Sequence, residues 1–493
     1  MSNINDFVIE NGELQKYKGQ GGDVVIPEGV TSIGDCAFSG CSSLTSVVIP
    51  DGVTSIGNDA FWGCSSLTSV VIPDSVTSIG DSAFESCCSL SGIVIPDSVT
   101  SIGARAFKYC SSLASVVIPE GVTSIGKDAF SDCSSLTSIV IPEGVTSIGA
   151  DAFKKCQSLT SVVIPEGVTS IGGEAFARCK SLTRVVIPEG VTSIGFWAFS
   201  DCSSLASVVI PEGVTSIGAA AFYGCKGLAS VVIPEGVTSI GASAFSGCKG
   251  LADANGFVIV QNALHGYYGK GGDVVIPEGV TSIGWGAFAG CSSLTSVVIP
   301  EGVTSIGEGA FAGCSSLTSV VIPEGVTSID NWAFKSCKSL TSVVIPEGVT
   351  SIGASAFNGC SSLASVVIPE SVTSIDRETF RGCSGLKLEN APAISVSVFN
   401  SLKLGPQAGY IFLSERDRFK DEVIVAGYKK YSFSQRKKLL PLIFRDDNDE
   451  ALRFYIDEKK VTAKNFDTDY FVPALQAGAE KCKALLLEWK EQH

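Results

Sequence analysis

Cysteines are the side chains of this 493-residue chain with the most potential for covalent or metal chemistry, and the chain has eighteen of them. Fifteen recur at one phase of a 23-residue spacing that begins with Cys41 and Cys64 and has one longer step. Zinc sites need close pairs such as C-x-x-C, which this column lacks. In a parallel stack the cysteines would lie about 5 Å apart with side chains pointing in parallel. We predict buried free thiols in a reducing compartment, with some paired neighbours as the alternative.

Histidine is scarce, with only His265 and His493 in the chain. Catalytic constellations that depend on histidine therefore have almost nothing to be built from. Glycine is abundant, but it recurs at fixed turn positions such as Gly52 and Gly57 and not in a phosphate-binding loop. We predict no catalytic residue, no metal site and no cofactor.

A column of carboxylates is the first candidate binding feature. An acidic residue follows the proline of every Ile-Pro repeat, and stacking would align these residues into an acidic ridge. The ridge comprises Glu28, Asp51, Asp74, Asp97, Glu120, Glu143, Glu166, Glu189, Glu212, Glu235, Glu278, Glu301, Glu324, Glu347 and Glu370. Solvated turn residues that keep the array soluble are one interpretation. Attraction of basic partner surfaces or loosely held divalent cations is the other.

Large aromatic residues provide the second candidate. Within each repeat only the two positions before Ala-Phe and the two after it change freely, and we call these four positions the variable strip. Its aromatic members are Trp62, Tyr109, Phe196, Trp197, Tyr223, Trp285 and Trp332. Exposed aromatics resemble the anchors of binding interfaces. Filling space beside a small neighbour in the next repeat is the competing explanation.

The elements that must position these columns come from the repeat itself. An Ile-Pro pair occurs fifteen times, and residues 44–66, LTSVVIPDGVTSIGNDAFWGCSS, form one unit. The β-branched run Ser46 to Ile49 predicts a strand that ends at a proline, with Val47 and Ile49 facing inward and Ser46 and Val48 outward. A unit of this size can bury its apolar side chains only against its neighbours.

Two non-repeat segments resemble each other at a constant offset of 250 residues. Phe7-Val8-Ile9 corresponds to Phe257-Val258-Ile259, and both segments end in Gly-Gly-Asp. Asn11-Gly12 in the first favours a tight turn, so both are predicted to be hairpins. The first would cover the open edge of the array, and the second would either restart it or form a side loop.

The repeat, close to C-x-x-L-x-x-I-x-I-P-x-x-V-x-x-I-G-x-x-A-F, resembles the leucine-rich repeats of the BspA-like, or Treponema pallidum, type over about three quarters of the chain. The resemblance implies an α+β repeat solenoid: a curved, right-handed leucine-rich-repeat solenoid with a parallel β-sheet on its concave side and irregular or short helical segments opposite. It also implies roles in binding, because proteins with similar repeats are often microbial surface adhesins.

Beyond residue 387 the composition changes and apolar residues follow a helical spacing, as in Leu439, Leu440 and Ile443. Helices are predicted to start near Ser434, near Asp447 or Asp449, and near Thr468 or Asp469, the third running through Pro473 to Trp489. The predicted organisation is a capping hairpin at 1–23, repeat blocks at 24–252 and 274–386 with an inserted hairpin at 253–273 between them, and a helical capping domain at 387–493.

Charge and hydropathy limit the partners. The net charge is -15, and no apolar run is long enough to span a membrane. An acidic array repels nucleic acid and anionic lipid, so we expect neither nucleic acid binding nor membrane insertion. The opening residues, MSNINDFVIENGELQKYKG, lack the features of a secretory signal, which favours the cytoplasm, with the cell surface by a non-classical route as the alternative.

The preferred hypothesis is a non-enzymatic scaffold that binds a protein or polymeric ligand, and a ligand with a basic surface is one form of this hypothesis. The alternatives are a surface adhesin that binds host matrix proteins or other cells, a lattice or glycan binder that uses the threonine column of Thr31, Thr54 and Thr77, and a helical tail with an activity of its own.

Overall fold

The computed structural model describes residues 4–369, 371–375, 378–383, 386–388, 436–445, 448–462 and 464–492. The chain divides into two compact units, Met1–Gly269 and Lys270–His493. Each is a stack of 23-residue coils with two short parallel strands per coil, and the second unit also contains the C-terminal helices. The predicted parallel-strand repeat solenoid is confirmed.

The first strand of each coil, here called the valine strand, carries the valines that precede Ile-Pro. In the first unit these strands are Gly22–Val25, Leu44–Val48, Ser69–Val71, Gly92–Val94, Ser115–Val117, Ser138–Val140, Ser161–Val163, Arg184–Val186, Ser207–Val209 and Ser230–Val232. In the second they are Gly272–Val275, Leu294–Val298, Ser319–Val321, Ser342–Val344 and Ser365–Val367, followed by Lys387–Leu388. The six strands from Gly22–Val25 to Ser138–Val140 form one continuous sheet.

A second strand of two residues, Ser-Ile, follows the turn after each proline. These strands are Ser32–Ile33, Ser55–Ile56, Ser78–Ile79, Ser101–Ile102, Ser124–Ile125, Ser147–Ile148, Ser170–Ile171, Ser193–Ile194, Ser216–Ile217 and Ser239–Ile240 in the first unit, and Ser282–Ile283, Ser305–Ile306, Ser328–Ile329, Ser351–Ile352 and Ser374–Ile375 in the second. In the first unit they pair in chain order. Sequence analysis did not predict this second sheet.

Register is fixed at one repeat, so that identical positions lie beside each other in neighbouring coils. Val71 pairs with Val94, and Ile56 with Ile79. The phenylalanines from Phe38 to Phe245 in the first unit, and from Phe288 to Phe380 in the second, stack in succession with nearly parallel rings. The centroids lie from 4.9 Å apart for Phe38 and Phe61 to 5.6 Å apart for Phe130 and Phe153. Because each column repeats its own residue type, one coil's apolar side chains are buried by the same side chains of the next.

Between each Ser-Ile strand and the following cysteine, the described repeats contain hydrogen-bonded turns where the resemblance implied irregular or short helical segments. Their main chains are bonded from coil to coil, as where the Phe61 amide donates to the Ala83 carbonyl at 2.7 Å. The second and the fourth position of the variable strip have a positive φ in every coil, for example 52° at Asp59 and 70° at Gly63. The variable strip is therefore a regular array of turns with left-handed backbone at two fixed positions in each coil.

Two antiparallel hairpins lie where the sequence predicted them: Phe7–Glu10 with Glu13–Tyr17, and Phe257–Val260 with Ala263–Tyr267. A short 3-10 helix precedes the first at Ile4–Asp6, and another lies at Lys249–Leu251. Glu13–Tyr17 pairs in parallel with Ser32–Ile33, so the first hairpin extends the Ser-Ile sheet beyond its first coil. Gln15 is exposed in this hairpin, whereas the corresponding His265 is buried against Phe245 of the preceding coil.

The described C-terminal helices are Arg436–Arg445, Asp449–Asp457, the π-helix Phe466–Phe471, Val472–Gln476 and Glu480–Gln492. The predicted start at Ser434 lies outside the described residues, and Asn448 caps the second helix by accepting from the Ala451 amide. The prediction of one helix from Thr468 to Trp489 was wrong. The helical path is interrupted at Gly478. This residue has a φ of 69°, a conformation that suits the end of a helix and not its interior.

Candidate binding surfaces

The cysteine column is a core feature. All eighteen cysteines lie in the described part of the chain and none of them forms a disulfide there, and thirteen of the fifteen in the column are buried. Each of these thirteen thiols donates to the carbonyl of the phenylalanine 26 residues earlier, as from Cys64 to Phe38 at 3.2 Å. Burial raises the pKa of Cys64 and of Cys179 to about 12. The prediction of buried free thiols is confirmed for these positions, whose thiols are held in the unreactive protonated form.

His265 is the most unusual buried polar residue. Both of its ring nitrogens are buried without a hydrogen-bond partner, and its ring meets the edge of Phe245 with centroids 5.5 Å apart. Burial lowers its pKa to about 4. The neutral ring therefore serves as a packing element in the inserted hairpin.

The acidic ridge is exposed at every described position. Glu370 lies outside the described residues, and the other fourteen carboxylates are solvent-facing turn residues. None of them takes part in a salt bridge between described residues. The structure thus places an uncompensated line of negative charge along each stack of coils.

A line of exposed valines runs beside this ridge. In the valine strands the residue before the last is buried, except Val231, which is partly buried, and the last valine is exposed, except Val367, which is partly exposed, as predicted for Val47 and Val48. In the first unit the solvent-facing residues are Val25, Val48, Val71, Val94, Val117, Val140, Val163, Val186, Val209 and Val232, with exposures from 37 to 79%. We call this set the valine stripe. Exposed apolar side chains that lie side by side in this way often mark an interaction site.

The threonine column has a structural role. The Thr54 hydroxyl donates to the Thr31 carbonyl at 3.2 Å, and Thr77 and Thr100 repeat the contact one coil later each time. A second column does the same from Thr68 to Thr45. Because these hydroxyl protons point into the neighbouring coil, they are not available as donors to a lattice.

The aromatic members of the variable strip lie on the surface. Trp62, Tyr109, Phe196, Trp197, Trp285 and Trp332 are 40–55% exposed, and Tyr223 is half-buried. The structure brings Trp197 and Tyr223 together with ring centroids 5.3 Å apart, on adjacent coils. Phe196 belongs to the same group by sequence, and its ring occupies the space beside Gly173, where a Cβ would lie 2.4 Å from it.

Contacts differ among the other aromatics. The Lys108 ammonium lies 5.4 Å from the Tyr109 ring centre, and Lys335 lies 5.8 Å from the Trp332 ring. In the second unit the Trp285 indole donates to Glu308 at 3.3 Å. Because its ring lies beside Gly173, Phe196 matches the space-filling interpretation in part, whereas Trp197 and Tyr223 form a surface cluster.

Sequence analysis did not predict the ion pairs that join residues of the variable strip in neighbouring coils. Lys108 meets Asp128 at 2.8 Å, Lys155 meets Asp132 at 3.0 Å, and Lys154 contacts both Asp151 at 2.7 Å and Glu174. Partners lie 20 or 23 residues apart except for Asp151 and Lys154. Aligning the variable positions by repeat could have revealed these pairs, because opposite charges occupy neighbouring rows.

Among the residues that the structure describes, no group of three or more His, Cys, Asp or Glu side chains is arranged to hold a metal ion. In the same part of the chain, no helix is both long enough and apolar enough to cross a bilayer. The surfaces that remain as candidates are the acidic ridge, the valine stripe and the variable strip.

Comparison with known proteins agrees with this architecture. The family model of the BspA type leucine rich repeat region, in six copies, matches residues 16–137, 123–252 and 261–387. The chain belongs to this BspA-type family. A leucine-rich repeat protein of Bacteroides ovatus is 33% identical to this BspA-type chain, with a TM-score of 0.54, and the match covers 78% of this chain and 96% of that one.

Two further solved structures are similar to this BspA-type chain. A leucine rich cell surface protein of Faecalibacterium prausnitzii is 31% identical, with a TM-score of 0.42, over 80% of this chain and 94% of that one. The leucine rich repeat protein of T. pallidum is 29% identical, with a TM-score of 0.23, over 51% of this chain and 91% of that one. A comparison with curated proteins found no match.

Proposed function

We propose that this BspA-type chain is a non-enzymatic scaffold that binds another protein or a polymeric ligand through the surface of its coils. The observation that carries the proposal is the cluster of Trp197 and Tyr223. Trp197 has a φ of 55°, a conformation that costs a bulky residue about 1–2 kcal/mol, and its side chain remains 40% exposed. Because the corresponding position has a positive φ in every coil, the repeat itself imposes this backbone; a tryptophan that stays exposed there adds little to folding and fits a role in recognition.

Main-chain hydrogen bonds between the coils beneath the cluster support the same function. The Trp197 amide donates to the Ala219 carbonyl at 2.9 Å, and the Asp201 amide donates to the Tyr223 carbonyl at 2.6 Å. Both coils are thus tied together at the base of the two rings. Binding to rings that are already in place loses less side-chain entropy than binding to mobile ones. The other aromatic residues of the variable strip are proposed as further partner contacts.

We place this function in the cytoplasm. The support is that the eighteen cysteines of the described part of the chain form no disulfide, since extracellular proteins rich in cysteine normally use them in disulfides. The helices of residues 436–492 are proposed to belong to a C-terminal capping domain. A partner with a basic surface would be attracted by the acidic ridge.

The test is photo-crosslinking in the source cells with a photoreactive residue at position 223, comparing the intact chain with Trp197→Ala. We expect a defined crosslinked partner that the substitution reduces at least tenfold, with an unchanged melting temperature. Ser170→Ala is the control, because Ser170 is exposed on a Ser-Ile strand of the same unit and lies outside the variable strip. The same crosslinking pattern in the intact chain and in Trp197→Ala would overturn the role of the cluster, as would a large loss of stability in Trp197→Ala.

A further inference from the structure

The first six coils present the most regular part of the valine stripe. Val25, Val48, Val71, Val94, Val117 and Val140 lie on directly paired strands, so the six side chains form a straight row. At the spacing of neighbouring strands, about 4.8 Å, the row is about 24 Å long. Val94 is the most exposed of them, at 79%, and Gly92 on the same strand leaves open space beside it.

Charge on this face has one sign. Glu28, Asp51, Asp74, Asp97, Glu120 and Glu143 are exposed and follow the six valines by three residues in each coil. The segments 22–30, 44–53, 67–76, 90–99, 113–122 and 136–145 contain no lysine or arginine. Charges on neighbouring coils lie within the screening length of about 8 Å at physiological salt, so their potentials add. The row of valines is bordered by a continuous negative potential.

We infer that the row from Val25 to Val140 binds an amphipathic helix of a partner protein, with apolar side chains along the valines and basic side chains beside the acidic ridge. This inference rests on the proposed scaffold function and specifies a partner for a surface distinct from the Trp197 cluster. Charge complementarity selects a basic partner. A second copy of the same face would bring six further carboxylates against the first six and is repelled.

The spacing of the valines selects a helix over an extended segment. Successive turns of a helix repeat every 5.4 Å, whereas same-face residues of a strand repeat every 6.6–6.8 Å or so. The valines of the row are about 4.8 Å apart. Over four coils the turns of a helix shift by about 2.4 Å relative to the valines, whereas the same-face residues of a strand shift by roughly 8 Å. Long side chains can follow the smaller drift. The helix therefore contacts four or five valines without a break.

Addition of a strand does not compete along the interior of this sheet. The strands from Leu44–Val48 to Ser115–Val117 are each paired with a neighbour on both sides. Their main-chain groups are already used in the parallel ladder, so a partner must lie on the face and interact through side chains. This restricts recognition to apolar contact and charge.

The experiment measures fluorescence anisotropy of labelled 16-residue peptides with the full chain. The first peptide has leucines at helical spacing with lysines elsewhere, the second replaces the lysines with glutamates, and the third has the composition of the first with leucine and lysine alternating. We expect the first to bind at least tenfold more tightly than the other two, and its affinity to fall as salt rises. Equal binding of the lysine and glutamate peptides, or equal binding of the helical and alternating patterns, contradicts the inference.

Variants locate the site. Val71→Gln with Val94→Gln and Val117→Gln should reduce binding of the first peptide at least tenfold, and Asp74→Asn with Asp97→Asn and Glu120→Gln should reduce both the affinity and its dependence on salt. Ser101→Gln with Ser124→Gln and Ser147→Gln, exposed positions on the Ser-Ile strands, is the matched control and should bind normally. Normal binding by either site variant overturns the inference and leaves the Trp197 crosslinking test unaffected. Melting temperatures close to that of the unmodified chain establish that each variant is folded.

Discussion

The thiol of Cys156 donates a hydrogen bond of 3.2 Å to the main-chain carbonyl of Phe130, in the preceding coil. Both residues are fully buried, so the carbonyl has no access to water. Cysteine is a small apolar residue with a weak donor, and it satisfies this carbonyl without introducing a strongly polar group. The column therefore connects adjacent coils at a point that neither sheet reaches.

Removing one thiol should expose this role. We expect Cys156→Ala to lower the free energy of unfolding by about 1–2 kcal/mol, because it leaves the buried Phe130 carbonyl unpaired and opens a small cavity. Chemical denaturation followed by circular dichroism measures the change. Cys88→Ala is the control, because Cys88 is exposed and should tolerate the substitution. Equal stability of the two variants would refute the role of the thiol hydrogen bond.

Thiol reactivity should separate the column from the surface. In the native chain a disulfide reagent should react rapidly with Cys36 and Cys88, which are exposed, and all eighteen cysteines should react after unfolding. Cys179, with a pKa raised to about 12 by burial, stays protonated between pH 7 and pH 9, so its reaction with the reagent should stay slow over this range. Rapid labelling of Cys179 in the folded chain, detected by peptide mapping, would contradict its burial.

The period of the repeat and the alternation within the valine strand were predictable, because Val47 and Val48 differ only in the face on which they lie. The Ser-Ile strands were not, since two residues such as Ser55 and Ile56 are too short to show alternation. Positive φ at Asp59 and Trp197 was equally hidden, because neither residue is glycine. The position of Phe196 depends on Gly173 in the preceding coil, a contact that no local pattern indicates.

The left-handed backbone at the fourth position of the variable strip predicts that adding and removing a side chain there change the stability in opposite directions. Gly63 and Ser86 occupy the fourth position of adjacent variable strips, with φ values of 70° and 64°. We expect Gly63→Ala to lower the free energy of unfolding by about 1 kcal/mol, since its Cβ would have room but the wrong φ. Ser86→Gly should raise it by about 0.5 kcal/mol. Urea unfolding of both variants tests the pair, and changes of the same sign would argue against strain at this position.

Acid should destabilise the first unit through His265. Its pKa is about 4 in the folded chain because of burial, against 6.5 when exposed, so the unfolded chain binds the proton more readily between these values. The stability contributed by the neutral ring is present above pH 6.5 and is lost as the pH falls toward 4, by about 3 kcal/mol in all. His265→Phe should show a weaker dependence on pH over this window, as measured by thermal unfolding. The same slope in both proteins would exclude His265 as its source.

The hydrogen bonds between coils have a mechanical consequence. Because they run along the axis of the stack in the first unit, a pull at one end of that unit loads the bonds of one coil at a time and peels the coils in sequence. Each released coil frees 23 residues, which extend by about 70 Å once their original rise of about 5 Å is subtracted. The first unit should therefore yield under tension in many small, similar steps, as an extensible tether does.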